Sequence, residues 1–540
     1  MNILYLSRSS VLNFVSVIFI SSISIGNVFC QNTQDSVGKT PNVLFIAIDD
    51  LNDFIGGMGG HPDVKTPNID RLAANGILFD NAYCQAPMCG PSRASVLSGR
   101  LPSNTGAYGF TPFEIVDSLK NCITIPGFFL NKKYHTMSVG KIHHRNGHSL
   151  NPEWSNYDST HIGKHPHNLI NPIKSKSIFW GGATNDPVDS LIDAKSANWA
   201  IDQLNSDFDK PFFLAVGFIR PHLPLIAPKE YFDLYNLDSM SMPQISNFDL
   251  LDIPRMGQAI PLFNYDYEVW ESGLEKEIVQ AYLASVSFVD AQIGRLLDAL
   301  ENSKYSDNTI IVLWSDHGFH LGEKFTWQKF TLWQEALKVP LIFAGKGIPS
   351  NTISSIPVQL VDIYPTLVAL TGFERPPHLD GNDLTPLFNF PNDSTWPPAL
   401  STFGRDNFAV IASQWKLISY FDGTNEVYNL DKDPNEWVNI SRDSIGLNKA
   451  RQLSQYIPTK TAPNAPGTTS RRYFSSDYWN VEYRIFRRDI FLFFNFAYRY
   501  NLPYSLGDLS FYTKLAAIVF ILLLQVCLYL LIRRLFIKRY

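Results

Sequence analysis

Hydrophobic positions in the first two-thirds of the chain come in short, nearly unbroken runs. Residues 43–48 (VLFIAI), 212–218, 309–314 and 339–343 each carry almost no polar side chain, the pattern of a strand buried on both faces of a sheet. Residues 275–300 differ. There Ile278, Tyr282, Val286, Val289, Ile293 and Leu297 recur at the spacing of one helix face. Thr66 and Pro67 offer an N-cap and a first helical residue for a helix that Gly76 ends, and residues 362–371 read as another, closed by Gly372. Buried strands alternating with helices predict an α/β domain built on a mostly parallel sheet flanked by helices. After Gly381 the texture changes. Residues 408–411, 415–421 and 425–430 are short strand candidates divided by turns, which predicts a small C-terminal antiparallel-sheet subdomain. No repeat of 20–50 residues is visible.

The two ends have another character. Residues 1–30 hold Arg8, an apolar run at 11–20 and small residues at 21–26, the order of a secretory signal peptide, with a retained anchor as the alternative. Residues 515–532 contain no charge, and Arg533, Arg534, Lys538 and Arg539 follow. This predicts a transmembrane helix with a cytoplasmic tail at 533–540 and an extracytoplasmic body, whether extracellular, lysosomal or periplasmic. The stretch 471–512 is rich in Tyr, Phe and Arg and reads either as a membrane-interface segment or as a plain stalk. The Pro, Thr, Ala and Gly run at 459–469 reads as a linker. The expected divisions are thus 41–380, 381–455, 456–514, 515–532 and 533–540. Asn392 and Asn439 each begin an N-x-S sequon, so a host that glycosylates would make this a glycoprotein.

Composition narrows the function. With 45% hydrophobic and 18% charged residues among 540, the chain is globular. A net charge of −5 excludes a basic stripe for nucleic acid. Five cysteines are too few for a disulfide framework. Only Cys84, Cys89 and Cys122 fall in the body, so at least one stays unpaired. Cys84 either pairs with Cys122 or packs in the core.

Two acidic clusters, Asp49-Asp50 and Asp316-His317, each lie just past a predicted buried strand. In open α/β sheets the site forms outside the carboxyl ends of the strands, so the clusters can meet. Crowded carboxylates call for a hard divalent cation, and oxygen-rich ligation favours calcium or magnesium over zinc. A third element is Cys89-Gly90-Pro91-Ser92-Arg93 with Leu97-Ser98-Gly99-Arg100. Cys89 falls at the start of a short helix ended by Gly99, where anions are favoured and a thiol pKa drops. Arg93, one turn on, can point the same way.

That run resembles the signature of the sulfatase family, formylglycine-dependent enzymes of the alkaline-phosphatase-like superfamily. The resemblance extends over about 41–430 and is greatest to iduronate-2-sulfatases. It is carried by residues 42–51, Gly140-Lys141-Ile142-His143-His144, Arg220-Pro221-His222-Leu223-Pro224, residues 315–323 continuing to Lys329, Trp415-Lys416-Leu417-Ile418 and residues 428–436. It implies an alkaline-phosphatase-like fold. It also implies that a formylglycine-generating enzyme oxidises Cys89 to Cα-formylglycine during export. Asp49, Asp50, Asp316 and His317 would bind Ca2+ together with modified Cys89, although many relatives carry Asn in place of His317. Arg93 and Lys141 would hold the aldehyde hydrate, and His222 and Lys329 the sulfate and leaving oxygen. One hydroxyl of the hydrate, aided by Asp316, would attack sulfur. His144, with His143 as its competitor, would then deprotonate the second hydroxyl so that sulfate leaves. His320 and His378 are left structural. The implied reaction is sulfate ester hydrolysis, with a 2-O-sulfated uronic acid of a glycosaminoglycan or similar polysaccharide as substrate. Three alternatives stay open: another sulfate ester such as choline sulfate, a phosphatase or phosphonate hydrolase on the same fold, and a catalytically silent surface protein that binds sulfated glycans.

Overall fold

Strand β1 (Asn42–Asp49) runs through the centre of the body with all of its residues buried. In the computed structural model the described residues are 40–110, 116, 119, 122–144, 153–158, 168–246, 249–260 and 263–466. The predicted signal peptide, the stretch 471–512, the spanning segment 515–532 and the tail 533–540 lie outside them. Among the described residues no helix is long and apolar enough to cross a membrane.

Further along the chain come β2 (Gly76–Tyr83), β3 (His135–Gly140), β4 (Asn156–Asp158), β5 (Leu169–Lys174), β6 (Phe179–Thr184), β7 (Phe212–Pro221) and β8 (Leu225–Pro228). They are followed by β9 (Thr309–Ser315), β10 (His320–Leu321), β11 (Trp327–Gln328), β12 (Lys338–Gly345), β13 (Thr352–Ser354) and β14 (Val358–Gln359). The main sheet has the order β13-β2-β12-β9-β1-β7-β3-β4, with β14 also on β2. Every pairing is parallel except those of β12, which runs antiparallel to both β9 and β2. The expected mostly parallel sheet is therefore a mixed one with a single reversed strand.

Alternation along β1 splits the core in two. Val43, Phe45 and Ala47 face a cluster that includes Val96, Leu97, Leu367 and Ile418. Leu44, Ile46 and Ile48 face one that includes Ile278, Tyr282, Val286 and Ala194. Burying each of the Val, Leu, Ile and Phe side chains contributes about 1.5–3 kcal/mol. The second face is covered by the helices Ile192–Leu204 and Glu275–Glu301, the latter as its apolar spacing predicts.

The helix Pro67–Ala74 differs in detail from expectation. Thr66 stands at its N-cap without a side-chain cap bond. Asp290, from the Glu275–Glu301 helix, accepts from the backbone N–H groups of Asn68 (3.1 Å) and Ile69 (2.8 Å) instead. The C-cap is Asn75, and Gly76 opens β2. A Cβ on Gly76 would lie 2.1 Å from the Phe343 carbonyl of β12, so the glycine serves strand approach and not the helix stop.

The four-stranded antiparallel sheet consists of β15 (Ala399–Thr402), β16 (Phe408–Ala412), β17 (Trp415–Ser419) and β18 (Asn425–Asn429), in chain order. β17 stops two residues short of the expected end, where the chain turns through Gly423 at φ +83°. One face gives Ala409, Ile411, Ile418 and Tyr428 to the main core. The other gives Val410, Leu417 and Val427 to Leu453 of the helix Ser444–Ser454. The described part of the expected linker is bonded to the body: Ala462 N–H donates to the Ser103 carbonyl and Ala465 N–H to that of Gly106. Cys84 and Cys122 are not joined by a disulfide, and Cys84 packs in the core. The amide of Asn439 accepts from the N–H groups of Val427 and Ser441 and donates to the Asp252 carbonyl. That sequon is therefore engaged in the folded chain, while Asn392 is exposed.

Candidate active site

The parallel neighbours β1 and β9 end side by side, with Ile48 opposite Ser315. Their register brings Asp49-Asp50 against Asp316-His317. The turn after β1 puts Asp50 at φ +66°, an uncommon conformation for a non-glycine residue. It is held by Asp50 N–H donating to Asp316 Oδ1 (3.2 Å) and by Tyr282 O–H donating to the Asp50 carbonyl (2.7 Å). Tyr282 came to notice in the sequence only as one apolar position of its helix.

The helix Cys89–Ser98 begins at Cys89 and ends at Gly99, at φ +68°, as expected. Ser92 Oγ donates to the Asp316 carbonyl at 2.5 Å and so fastens the helix to the end of β9. Cys89 Sγ then lies 3.1 Å from Lys329 Nζ and 3.2 Å from His317 Nε2. Lys329 Nζ donates to Asp50 Oδ1 at 2.6 Å. Arg93 Nε donates to Asp316 Oδ2 at 2.7 Å, its Nη2 lies 3.5 Å from Asp49 Oδ1, and its Nη1 bonds the carbonyls of Lys141 and Ile142. Lys141 Nζ pairs with Asp49 Oδ2. Gly140, just before it, has φ +73°, and a Cβ there would lie 1.9 Å from the Gly217 carbonyl of β7. Only glycine lets the chain turn here and present Lys141.

Two sets of ligand atoms converge within 4.8 Å: Asp49, Cys89, Asp316 and His317, and Asp49, Asp50, Cys89 and His222. Asp49 Oδ1 is buried with no hydrogen-bond partner among the described residues. His317 Nδ1 donates to the Gly318 carbonyl (3.0 Å), which aims Nε2 inward at Cys89 and Asp50. A buried carboxylate oxygen without a donor, two further carboxylates and an oriented imidazole fit a divalent cation.

The five predicted residues outside the metal set, Arg93, Lys141, His144, His222 and Lys329, surround the same cluster. His222 Nδ1 donates to the Leu223 carbonyl (2.7 Å), leaving Nε2 4.0 Å from Asp50 Oδ2. Its side chain is 32% exposed and that of Lys141 14%, against 0–1% for Asp49 and Asp50, so these two mark the mouth. His144 stacks on Phe110 with ring centroids 4.7 Å apart, whereas His143 is buried edge-on to Trp154. Phe110 and Asn52, whose N–H donates to Tyr282 Oη, gave no sequence signal, because both act through tertiary contact.

Electrostatics divides the groups. Burial opposes a charge on Asp49, yet Lys141, His222 and Arg93 hold its carboxyl well below the usual range. Burial pushes Asp316 up to about 6 against the pull of Arg93 and His317. Burial and Asp49 resist ionisation of Cys89, but Lys141, Lys329 and His317 outweigh them and hold its thiol well below 9. Burial lowers His144 to about 4, which keeps the imidazole neutral. For His222 burial is outweighed by Asp50 and Asp49, and its pKa rises.

Known proteins resemble this chain. The family described as Sulfatase matches residues 41–373, and that described as N-sulphoglucosamine sulphohydrolase, C-terminal, matches 322–461. A sulfatase of Formosa agariphila is 39% identical over 459 residues, covering 80% of this chain and 89% of its own. Human iduronate 2-sulfatase is 33% identical over 405 residues, covering 64% and 72%. Among solved structures, a phosphonate monoester hydrolase of Agrobacterium radiobacter superposes with TM-score 0.64 at 22% identity, over 77% of this chain and 95% of that one. A 2-O GAG sulfatase superposes with TM-score 0.60 at 24% identity, over 77% and 91%. The two solved structures share the alkaline-phosphatase-like fold. With a family match over most of the described body and a Cys-x-Pro-x-Arg helix aimed into a carboxylate cluster, the chain belongs to the sulfatase family.

Proposed function

We propose that this sulfatase removes the 2-O-sulfate of a uronic acid in a glycosaminoglycan or similar sulfated polysaccharide, using Cα-formylglycine made from Cys89 and a bound calcium ion. One observation carries the chemistry. Cys89 Sγ stands at a helix N-terminus within 3.2 Å of Lys329 Nζ and His317 Nε2, beside three converging carboxylates. The sugar rests on the relatives named iduronate 2-sulfatase, from human and mouse, both 33% identical.

Asp49, Asp50, Asp316 and His317 would hold the calcium, with the modified Cys89 side chain as a further ligand. When in place, the formylglycine hydrate supplies a nucleophilic oxygen and a second hydroxyl for sulfate release, and the calcium supplies charge neutralisation. The chain's own groups account for the rest. Arg93, fixed by Asp316 and two carbonyls, and Lys141, fixed by Asp49, present preorganised positive charge to an anionic ester, which is typically the greatest single contribution to such catalysis. Lys329 lies deeper, beside the nucleophile position, and stabilises charge on the reacting sulfate. His222, at the mouth with Nε2 free of the backbone, hands a proton to the leaving oxygen of the sugar. His144, kept neutral by burial and oriented by Phe110, accepts the proton that accompanies sulfate release.

Two measurements test this reading. Mass spectrometry of the tryptic peptide 72–93, from protein made in its native host, should find an aldehyde in place of the Cys89 thiol. Turnover should favour a 2-O-sulfated uronate disaccharide over its 6-O-sulfated counterpart and over a phosphate monoester. An unmodified thiol throughout contradicts the chemistry, and faster release from another ester contradicts the sugar.

A further inference from the structure

The four-stranded sheet carries a second concavity that the chemistry above does not use. It lies between the helix Ser444–Ser454, the β16–β17 turn and the segment 394–398 that leads into β15, and it has a volume of about 620 Å³. That is within the roughly 300–1,000 Å³ typical of small-molecule sites. Its lining combines three aromatic rings, Trp396, Trp415 and Tyr456, with Gln452, Gln455 and Lys449. It belongs to the helix-bearing side of the sheet, whereas the opposite face packs on the main core.

We propose that this cleft binds the polysaccharide chain at a distance from the bond being cleaved. The inference rests on the reading that the substrate is a sulfated polysaccharide. Each component suits a sugar. Pyranose rings present flat patches of C–H groups that pack on aromatic side chains, and Tyr and Trp offer large contact area at low entropic cost. Tyr456 is 48% exposed, which is unusual for so large a ring without a partner. Gln452 and Gln455 are exposed and their side chains make no hydrogen bond to the described residues, so their amides are free for hydroxyl groups. Lys449 Nζ lies 5.0 Å from the centre of the Trp415 ring, which puts a cation beside an aromatic platform where a sulfate on a stacked sugar would fall. A purely apolar partner would leave the lysine and both glutamines unpaired, and a nucleic acid would need more positive charge than one lysine gives.

The test uses the full chain in two forms. In the Cys89→Ala background, which removes turnover, binding of heparin, dermatan sulfate and iota-carrageenan is measured by calorimetry. Tyr456→Ala and, separately, Gln452→Ala should weaken binding of at least one polymer by about tenfold, the effect of losing one anchor contact. In the otherwise unaltered enzyme the same substitutions should lower kcat/KM on that polymer and leave hydrolysis of the small ester 4-nitrocatechol sulfate unchanged. Both residues are exposed, so the fold survives either change. Unchanged polymer binding in both variants, or no binding of any polymer before substitution, overturns the proposal. Polymer binding that depends on Tyr456, found in a protein that cleaves no sulfate ester, would leave the cleft standing and remove the proposed reaction instead.

Discussion

Replacing Lys324 by Met should uncouple folding from turnover. Lys324 is 1% exposed and lies five residues before Lys329. Its Nζ pairs with Asp249 Oδ1 at 2.5 Å, donates to the Glu436 carbonyl, and sits 5.6 Å and 5.5 Å from the ring centres of Trp333 and Tyr428. Around it the backbone is strained. Lys324, Phe325, Gln328 and Phe330 have φ of 55°, 54°, 77° and 79°, and each such residue costs of order 1–3 kcal/mol unless its surroundings impose it. Breaking a buried ion pair costs about 3–5 kcal/mol. The lower end applies here, because burial already holds Asp249 up at about 7, and the orphaned carboxyl takes up a proton. A loss of about 3 kcal/mol leaves a typical domain folded. The loop, once released, relaxes and carries Lys329 away from Cys89 and Asp50, and a displacement of about 1 Å can cost about 100-fold in rate. Urea unfolding and kcat on 4-nitrocatechol sulfate read the two effects separately. Adding Asp249→Leu should restore stability to within about 1 kcal/mol, since apolar replacements of buried pairs are often neutral, without restoring turnover. A folded Lys324→Met enzyme at the parent kcat would refute the reasoning. So would recovery of turnover in the double variant, which would make the pair structural only.

Chelation by EGTA should abolish turnover and added calcium should restore it; full activity after exhaustive chelation contradicts the assigned ligands. Asp290→Ala should cost about 2 kcal/mol in thermal unfolding, as for loss of a helix cap. Burial raises Asp290 to about 6 in the folded protein, above the unfolded value near 4. The folded state therefore takes up this proton first, and the group's contribution to stability is largest at low pH and declines as pH rises from about 4 to about 6. Asp290→Asn should flatten that part of the profile of Tm against pH, and an unchanged slope would assign it to other groups. Gly140→Ala should displace Lys141 and remove activity at a cost above about 3 kcal/mol, as a clash with backbone at positive φ requires; near-parental stability would contradict it.

Much of the site was legible because its chemistry lies at strand ends. The runs 43–48 and 309–314 announce β1 and β9, and the acidic residues that follow each one meet as open α/β sheets dictate. Other parts gave weaker signals. β2 carries Asp80 and Asn81 within its length, and β3 reads His-Thr-Met-Ser-Val-Gly, so neither stands out as an apolar run. Lys141 and Lys329 are indistinguishable from surface lysines until the fold buries them, and only family resemblance pointed to them. The run from Lys324 to Phe330 bears no glycine at its left-handed positions, so nothing local predicts its path. It is imposed by Asp249 and by Glu436, which lie far away in the chain.

That dependence sets an order of events during synthesis. Glu436 accepts from Gln334 N–H at 2.8 Å, and Glu426 accepts from Trp333 Nε1 at 2.9 Å. Asp249, Asp266 and Asp50 precede the segment bearing Lys329, but its remaining anchors arrive only when β17, β18 and the residues after them have left the ribosome, about a hundred residues later. Domains emerge N-terminus first at about 5–20 residues per second, so the delay amounts to several seconds. In that interval the loop beside Cys89 is braced from fewer sides, and the last strands to arrive complete its support.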